Sequence, residues 1–365
     1  MALINGTDAS ETIIGTIDSD SILGNAGNDF IQGLNANDLL YGNGDSDTIQ
    51  GNAGDDTLFG GQDNDALSGS QGQDLVYGNA GDDTVFGGDA IDSLYGGQGN
   101  DVLSGGVGND IIQGNAGNDT LSGNGNDDLM YGGAGIDRMS GGTGNDTMSG
   151  GDDGDYMSGD DGDDLIYGNK GSDVIFGGAG VDSLYGGQDN DEVYADASSS
   201  TSTDADVLYG NFGNDTLVGS YGDNTLFGGQ DNDVISGSRG NDVLYGNKGD
   251  DVLNGTVSGS DTLVADADTL YGGSGLDTFV VDGDQQNYAE IDVIADFVVG
   301  EFIDVSGAFA SGVSGSTLYM QLIDDGNDML LKIDPDTAGS TYDYSDAVRL
   351  VGVQDIGLTD INFIF

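Results

Sequence analysis

The chain has 365 residues, 69 of them Gly and one Pro, and carries 66 Asp and Glu against 6 Lys and Arg, a formal charge of −60. It has no Cys and no His, which excludes disulfides, thiolate metal sites, His-containing zinc sites and His-based catalytic triads. The acidity argues against nucleic acid as a partner, because its recognition needs Lys and Arg, and no stretch is apolar for long enough to span a membrane.

The N-terminus, MALINGTDASETIIG, lacks the basic and apolar regions of a secretory leader, so any export signal is expected elsewhere. Residues 6–14 and 15–23 form degenerate nonapeptides with Glu11 and Asp20 at the sixth position. Residues 1–14 are predicted to be a terminal strand and cap, since end repeats of stacked arrays are atypical. From Gly24 to Tyr194, nineteen nonapeptides follow without a gap. Gly opens each one, Asp holds position six and an apolar residue holds position eight, from Ile31 to Val193. Length alone would suggest two or three domains, but a fixed repeat grows by stacking rather than by enlarging one core. The period of nine rather than three rules out collagen.

Residues 195–206, rich in Ser, Thr, Ala and Asp, read as a polar loop insert. The frame resumes at Asp206-Val207-Leu208-Tyr209 and runs to about 280, with Asn224 in place of Asp and a second insert near 255–264. Residues 41–84 closely resemble 209–252, which points to internal duplication. Beyond 281 the Gly density falls. IDVIADFVV, STLYMQLI, DMLLKI and AVRLVGV read as strands, separated by the turns GDQQN, DDGND and DPDTAGS. Residues 281–365 are therefore predicted to form a C-terminal β-rich cap over the open end of the array.

Residues 96–104, GGQGNDVLS, fit G-G-x-G-x-D-x-U-x without a mismatch, U being a large apolar residue. On these repeats the chain resembles the repeats-in-toxin, or hemolysin-type, calcium-binding family over most of its length. The resemblance implies an all-β fold, a right-handed parallel β-roll solenoid with two nonapeptides per turn. Each repeat would place six residues in a turn and three in a strand. The implied cofactor is Ca2+, roughly one ion per repeat in the roll interior, held by Asp carboxylates of stacked repeats and by turn carbonyls. The expected ligands are Asp20, Asp29, Asp38, Asp47, Asp56, Asp65, Asp74, Asp83, Asp92, Asp101, Asp110, Asp119, Asp128, Asp137, Asp146, Asp155, Asp164, Asp173, Asp182 and Asp191, then Asp215, Asp233, Asp242, Asp251 and Asp277. Asp45, Asp63, Asp189 and Asp231, at position four, are further candidates.

Charge supports the same reading. Stacked turns about 4.8 Å apart bring like charges well inside the screening length of roughly 8 Å. Each such pair repels by about 0.9 kcal/mol even in water. About two dozen divalent ions would offset most of the charge. The chain is therefore expected to be disordered without calcium and ordered with it.

Position eight is predicted to face inward, including the run Met130, Met139, Met148, Met157. Position nine faces outward with a second period of eighteen. One set reads Tyr41, Phe59, Tyr77, Tyr95, Gln113, Tyr131, Ser149, Tyr167, Tyr185, and the alternate set is mostly small and polar. Tyr209, Phe227 and Tyr245 repeat the aromatic pattern. Two readings stand: stacking within the sheet, or a face for assembly and adhesion.

Residues 290–306, EIDVIADFVVGEFIDVS, resemble the serralysin-like segment that follows the repeats in type I secreted proteins. The ending QDIGLTDINFIF, with Asp360 before Ile361, Phe363, Ile364 and Phe365, is similar to the export signals of that family. The resemblance implies transient engagement of a type I ABC transporter, with its membrane fusion protein and outer-membrane channel, and an extracellular or cell-surface location. Relatives commonly carry a functional domain ahead of the repeats. Here the repeats begin by residue 6 or 15, and neither H-E-x-x-H nor G-x-S-x-G occurs. The expectation is a non-enzymatic matrix, surface-layer or fibre component, with a calcium-dependent adhesin or mineral-binding protein as the alternative. Ice binding is disfavoured because GTGND, at 142–146, occurs once rather than in every turn.

Overall fold

The computed structural model describes residues 2–196, 203–256, 267–280, 292–298, 300–304, 319–324, 329–334, 345–351 and 361–364. The centre of the first insert, most of the second, nearly all of the three turns expected beyond 281, Asp360 and Phe365 lie outside the described residues. Every regular element described is a β-strand, and among the described residues no helix is long and apolar enough to cross a membrane. The chain is a parallel β-solenoid that divides into two units, 1–183 and 184–365.

In the first unit, strands alternate between two parallel sheets. Thr84–Asp89 pairs with Ala66–Gln71 and Val102–Val107 in one sheet. Ser93–Gln98 pairs with Leu75–Ala80 and Ile111–Ala116 in the other. Register partners are equivalent residues of alternate repeats, as in Thr84↔Val102 and Ser93↔Ile111, so two nonapeptides make each turn. The expected three-residue strand is too short. Strands run six residues, from position seven through position three of the next repeat, which leaves only positions four to six as turn. Pairing runs Phe86↔Ser104, skips Gly87, and resumes at Gly88↔Gly106. The position-two residue makes this possible by taking positive φ, 126° at Gly88 and 80° at Asn79. That conformation bends the strand without ending it, and Gly or Asn tolerates it best.

The six-residue strand buries positions eight and one and points seven and nine outward, the period of two that a strand imposes. Position eight forms the core as expected: Ile31, Leu58, Leu94, Ile112, Met148 and Ile175 are all 0% exposed. Met130, Met139 and Met157 continue it at no more than 3%. We expect Leu94→Ala to cost about 2–5 kcal/mol of calcium-saturated stability in denaturant titration. Val102→Ala, on the outer face, should stay within about 0.5 kcal/mol. Equal costs would contradict the inward placement of position eight.

In the second unit the same stacking absorbs the inserts. Glu192 pairs with Thr216 and Val243 with Thr269, each pair further apart in the chain than two nonapeptides. The phase is the same on either side of each insert, and Val193↔Leu217 and Leu244↔Leu270 are core partners. Parallel pairing continues beyond 280, with Leu270↔Ile294 and Phe279↔Ile303. Phe302–Asp304 then pairs with Asn362–Ile364, and Asp292–Ile294 with Ser345–Leu350. Tyr319–Asp324, Met329–Asp334 and Ser345–Leu350 form the antiparallel part.

Candidate metal centre

The position-six aspartates stand in columns inside the roll. In the first unit, one column holds Asp20, Asp38, Asp56, Asp74, Asp92, Asp110, Asp128, Asp146, Asp164 and Asp182. The other holds Asp29, Asp47, Asp65, Asp83, Asp101, Asp119, Asp137, Asp155 and Asp173. None is more than 3% exposed. In the second unit Asp191, Asp215, Asp233, Asp251 and Asp277 form one column, and Asp242 stands in another.

Each column is a hydrogen-bonded ladder. The backbone N–H of one Asp donates to Oδ1 of the Asp one turn on: Asp83 to Asp101 at 2.7 Å, Asp101 to Asp119 at 2.7 Å, Asp119 to Asp137 at 2.8 Å. Its carbonyl accepts from position seven of the next turn, as Val102 N–H to Asp83 O at 2.8 Å. The second oxygen is different. Oδ2 of Asp38, Asp56, Asp83, Asp101, Asp119 and Asp155, among others, is buried with no hydrogen-bond partner. A buried carboxylate oxygen without a partner costs several kcal/mol unless a proton or a cation meets it. Asp20, near the start of its column, is the exception. Thr16 N–H donates to its Oδ2 at 2.6 Å, and that bond holds its carboxyl below the usual range.

Position one explains where the second oxygen goes. A Cβ at Gly33 would strike Asp38 Oδ2 and lie 2.9 Å from the Gly51 carbonyl oxygen. At Gly123 it would strike Asp128 Oδ2 and lie 2.6 Å from the Gly141 carbonyl oxygen. Glycine is needed at position one for space rather than for φ, because Oδ2 and a carbonyl from the next turn converge over its Cα. Positive φ falls instead at positions two and four, as at Gly88 (126°) and Gly99 (119°).

Burial raises the pKa of these carboxylates, and their mutual repulsion adds to it. Burial pushes Asp155 up to about 8, opposed by the hydrogen bond from Asp137 and aided by the charges of Asp137 and Asp173. Burial likewise pushes Asp56 and Asp101 up to about 7 and Asp233 up to about 8. Donors made only of carboxylate and carbonyl oxygen suit a hard cation such as Ca2+. Among the described residues no group of three or more acidic side chains is gathered to hold a metal, so a site here would draw on backbone carbonyls as well as carboxylates.

Other residues join the ladders. Asp206, Asp268 and Asp292 extend the column of Asp242. Asp206 could have been found one repeat before Asp215, whereas Asp292 follows Asp268 off the nonapeptide frame. A second ladder at position five runs the opposite way. Asn100 N–H donates to Asp82 Oδ1 at 2.8 Å, and Asn118 N–H to Asn100 Oδ1 at 2.8 Å. Its signal is the frequent Asn or Asp just before the invariant Asp. The position-four candidates Asp45, Asp63, Asp189 and Asp231 are exposed and hold positive φ of 67–73°. Asp45 accepts from Gly27 N–H at 2.9 Å.

The pattern of the RTX calcium-binding nonapeptide repeat matches across residues 5–193 and 200–285. The chain belongs to that calcium-binding repeat family. No curated protein matches it. Among solved structures, it is similar to the AlgE6R3 subunit of the mannuronan C5-epimerase from Azotobacter vinelandii. Identity is 27%, covering 39% of this chain and 78% of that one, with a TM-score of 0.27. The AlgE6R2 subunit of the same enzyme is 27% identical over 38% of this chain and 88% of that one, with a TM-score of 0.24. A Ca2+-dependent β-helical antifreeze protein from an Antarctic bacterium is 17% identical over 75% of this chain and 84% of that one, with a TM-score of 0.33. Calcium fits the residues present. The unpartnered Oδ2 atoms of the columns would hold it, and it would neutralise carboxylates that otherwise repel along each column.

Proposed function

We propose that this is a secreted, non-enzymatic calcium-binding protein that orders outside the cell and then assembles through its aromatic face as a matrix, surface-layer or fibre component. One observation carries the reading. In the first unit Tyr41, Phe59, Tyr77 and Tyr95 stack at ring-centroid spacings of 4.8–5.0 Å. In the second, Tyr185, Tyr209, Phe227, Tyr245 and Tyr271 stack at 4.6–4.8 Å. Stacking accounts for the ring faces. It leaves the rings only partly buried, as continuous aromatic stripes on the outer face, and such stripes usually mark contact surfaces. Export through a type I ABC transporter suits a chain that stays unfolded at low cytosolic calcium and folds at the millimolar level outside. The position-six Asp ladders supply that coupling.

Sedimentation velocity at zero and at millimolar free calcium tests the proposal. Calcium should convert an expanded chain into large ordered assemblies. Tyr77→Ser with Tyr95→Ser should abolish assembly and leave calcium-driven folding intact. A compact monomer at all protein concentrations would instead favour a surface-tethered adhesin, and normal assembly by the double variant would remove the aromatic face as the contact.

A further inference from the structure

Residues 219–227, GSYGDNTLF, correspond to 51–59, GNAGDDTLF, in the duplicated segments, and the two copies differ in a coordinated way. Asn52 becomes Ser220, Ala53 becomes Tyr221, Asp56 becomes Asn224, and on the following turn Gln71 becomes Arg239. One negative charge has gone from this repeat and one positive charge has arrived on the turn that follows it.

The geometry changes with them. Asp56 is 1% exposed; its Oδ1 accepts the Asp38 N–H at 2.7 Å and its Oδ2 has no partner. Asn224 is equally buried, and its Oδ1 keeps the ladder role by accepting the Asp206 N–H at 3.0 Å. Its Nδ2, however, takes the space over Gly219 that Asp56 Oδ2 takes over Gly51. From there it donates to the Gly222 carbonyl at 2.8 Å and faces the Ser220 carbonyl at 3.4 Å. The other polar groups are also satisfied by the chain itself. Ser220 Oγ lies 3.1 Å from Asp206 Oδ2, Ser238 Oγ donates to the Gly219 carbonyl at 3.0 Å, and Arg239 N–H donates to the Ser220 carbonyl at 3.2 Å. The Arg239 guanidinium lies over the Tyr221 ring at 4.4 Å. Asn52 and Gly54 sit at positive φ, 77° and 135°, whereas neither Ser220 nor Gly222 does. The strand before the altered turn shortens to Thr216–Val218.

We propose that repeat 219–227 takes no calcium, and that the Asn224 amide and Arg239 replace the ion in a turn that closes without metal. An –NH2 group points its positive end at the carbonyl oxygens a cation would need, so the two exclude each other. The guanidinium supplies permanently the positive charge that other turns take from solution. The proposal rests on the reading of the position-six column as calcium ligands.

Counting bound ions on the full chain by native mass spectrometry in saturating calcium tests it. The variant S220N/Y221A/N224D/R239Q, which restores the residues of 51–59 and of Gln71, should bind at least one more ion than the wild-type chain. If the wild type binds many ions and this folded variant binds no more, the proposal is overturned while the ligand reading stands. Should the variant fail to fold, the reverse graft N52S/A53Y/D56N/Q71R decides. It should lose at least one ion while keeping its β circular dichroism, and an unchanged count overturns the proposal. A wild-type chain that binds no calcium overturns the ligand reading and this proposal together.

Discussion

Stripped of divalent ions at pH 7, the chain is expected to lack the circular dichroism of a β-fold, and millimolar calcium should restore it cooperatively. The first unit places two interior columns of carboxylates one turn apart, and members such as Asp56 and Asp101 each keep a buried oxygen with no protein partner. Ionised and metal-free, those columns repel along their length in a region shielded from water. A proton can relieve them as a cation does, and this fixes the sign of the pH dependence. Burial raises these groups in the folded state from an ordinary value of about 3.9 to about 6 at Asp47 and Asp137, about 7 at Asp92 and about 8 at Asp155. The folded chain therefore binds more protons than the unfolded chain between these values. Metal-free stability is fully present below about pH 4 and is lost as pH rises through 6 to 8. A metal-free chain titrated from pH 7 down to pH 4 should gain β-structure without calcium. If it stays unfolded at pH 4, ionisation of the columns is not what opposes folding. If it is fully folded at pH 7 without metal, the coupling itself is absent.

Gly96→Ala is expected to be among the most damaging single-methyl changes, and Gly125→Ala among the mildest. The added Cβ at Gly96 would strike Asp101 Oδ2 and lie 2.8 Å from its Cγ. The neighbours cannot give way cheaply, because Asp101 is 1% exposed and its Oδ1 is fixed by the Asp83 N–H at 2.7 Å. Overpacking of this kind costs about 1–3 kcal/mol in a plain core. Here the methyl also displaces the oxygen proposed to meet the cation, so calcium affinity should fall together with stability. At Gly125 the nearest atoms to an added Cβ are 3.6 and 3.7 Å away and the backbone is not left-handed, so alanine should be neutral or slightly stabilising. Calcium titrations followed by circular dichroism compare the two. Similar midpoints for both variants would show that position-one glycine is not a steric requirement of the column.

Much of this architecture was legible from residue spacing. Asp at every ninth residue, buried beside an apolar residue two places on, has few solutions other than stacked turns. Pairing between alternate repeats follows from that period. Less legible was how far each strand runs. Glycine reads as a strand breaker, yet pairing resumes after position one because positive φ at position two turns the backbone back into register. The position-five ladder was also hidden, since Asn and Asp before the invariant Asp look like ordinary turn residues until Asn118 and Asn100 are seen one above the other.

Phase along the chain was enough to establish the repeat, the inward apolar column and the aromatic face, while the calcium-binding class came from the resemblance of these nonapeptides to a known repeat family. The first three depend only on which residues recur at a fixed position, and a strand's two-sided geometry converts phase into facing. Packing between turns settled the rest: which carboxylate oxygen is left for a cation, why position one must be glycine, and why Asn224 closes its turn differently. Those outcomes depend on atoms from neighbouring turns meeting in one small volume, and spacing along the chain does not specify how that volume is filled.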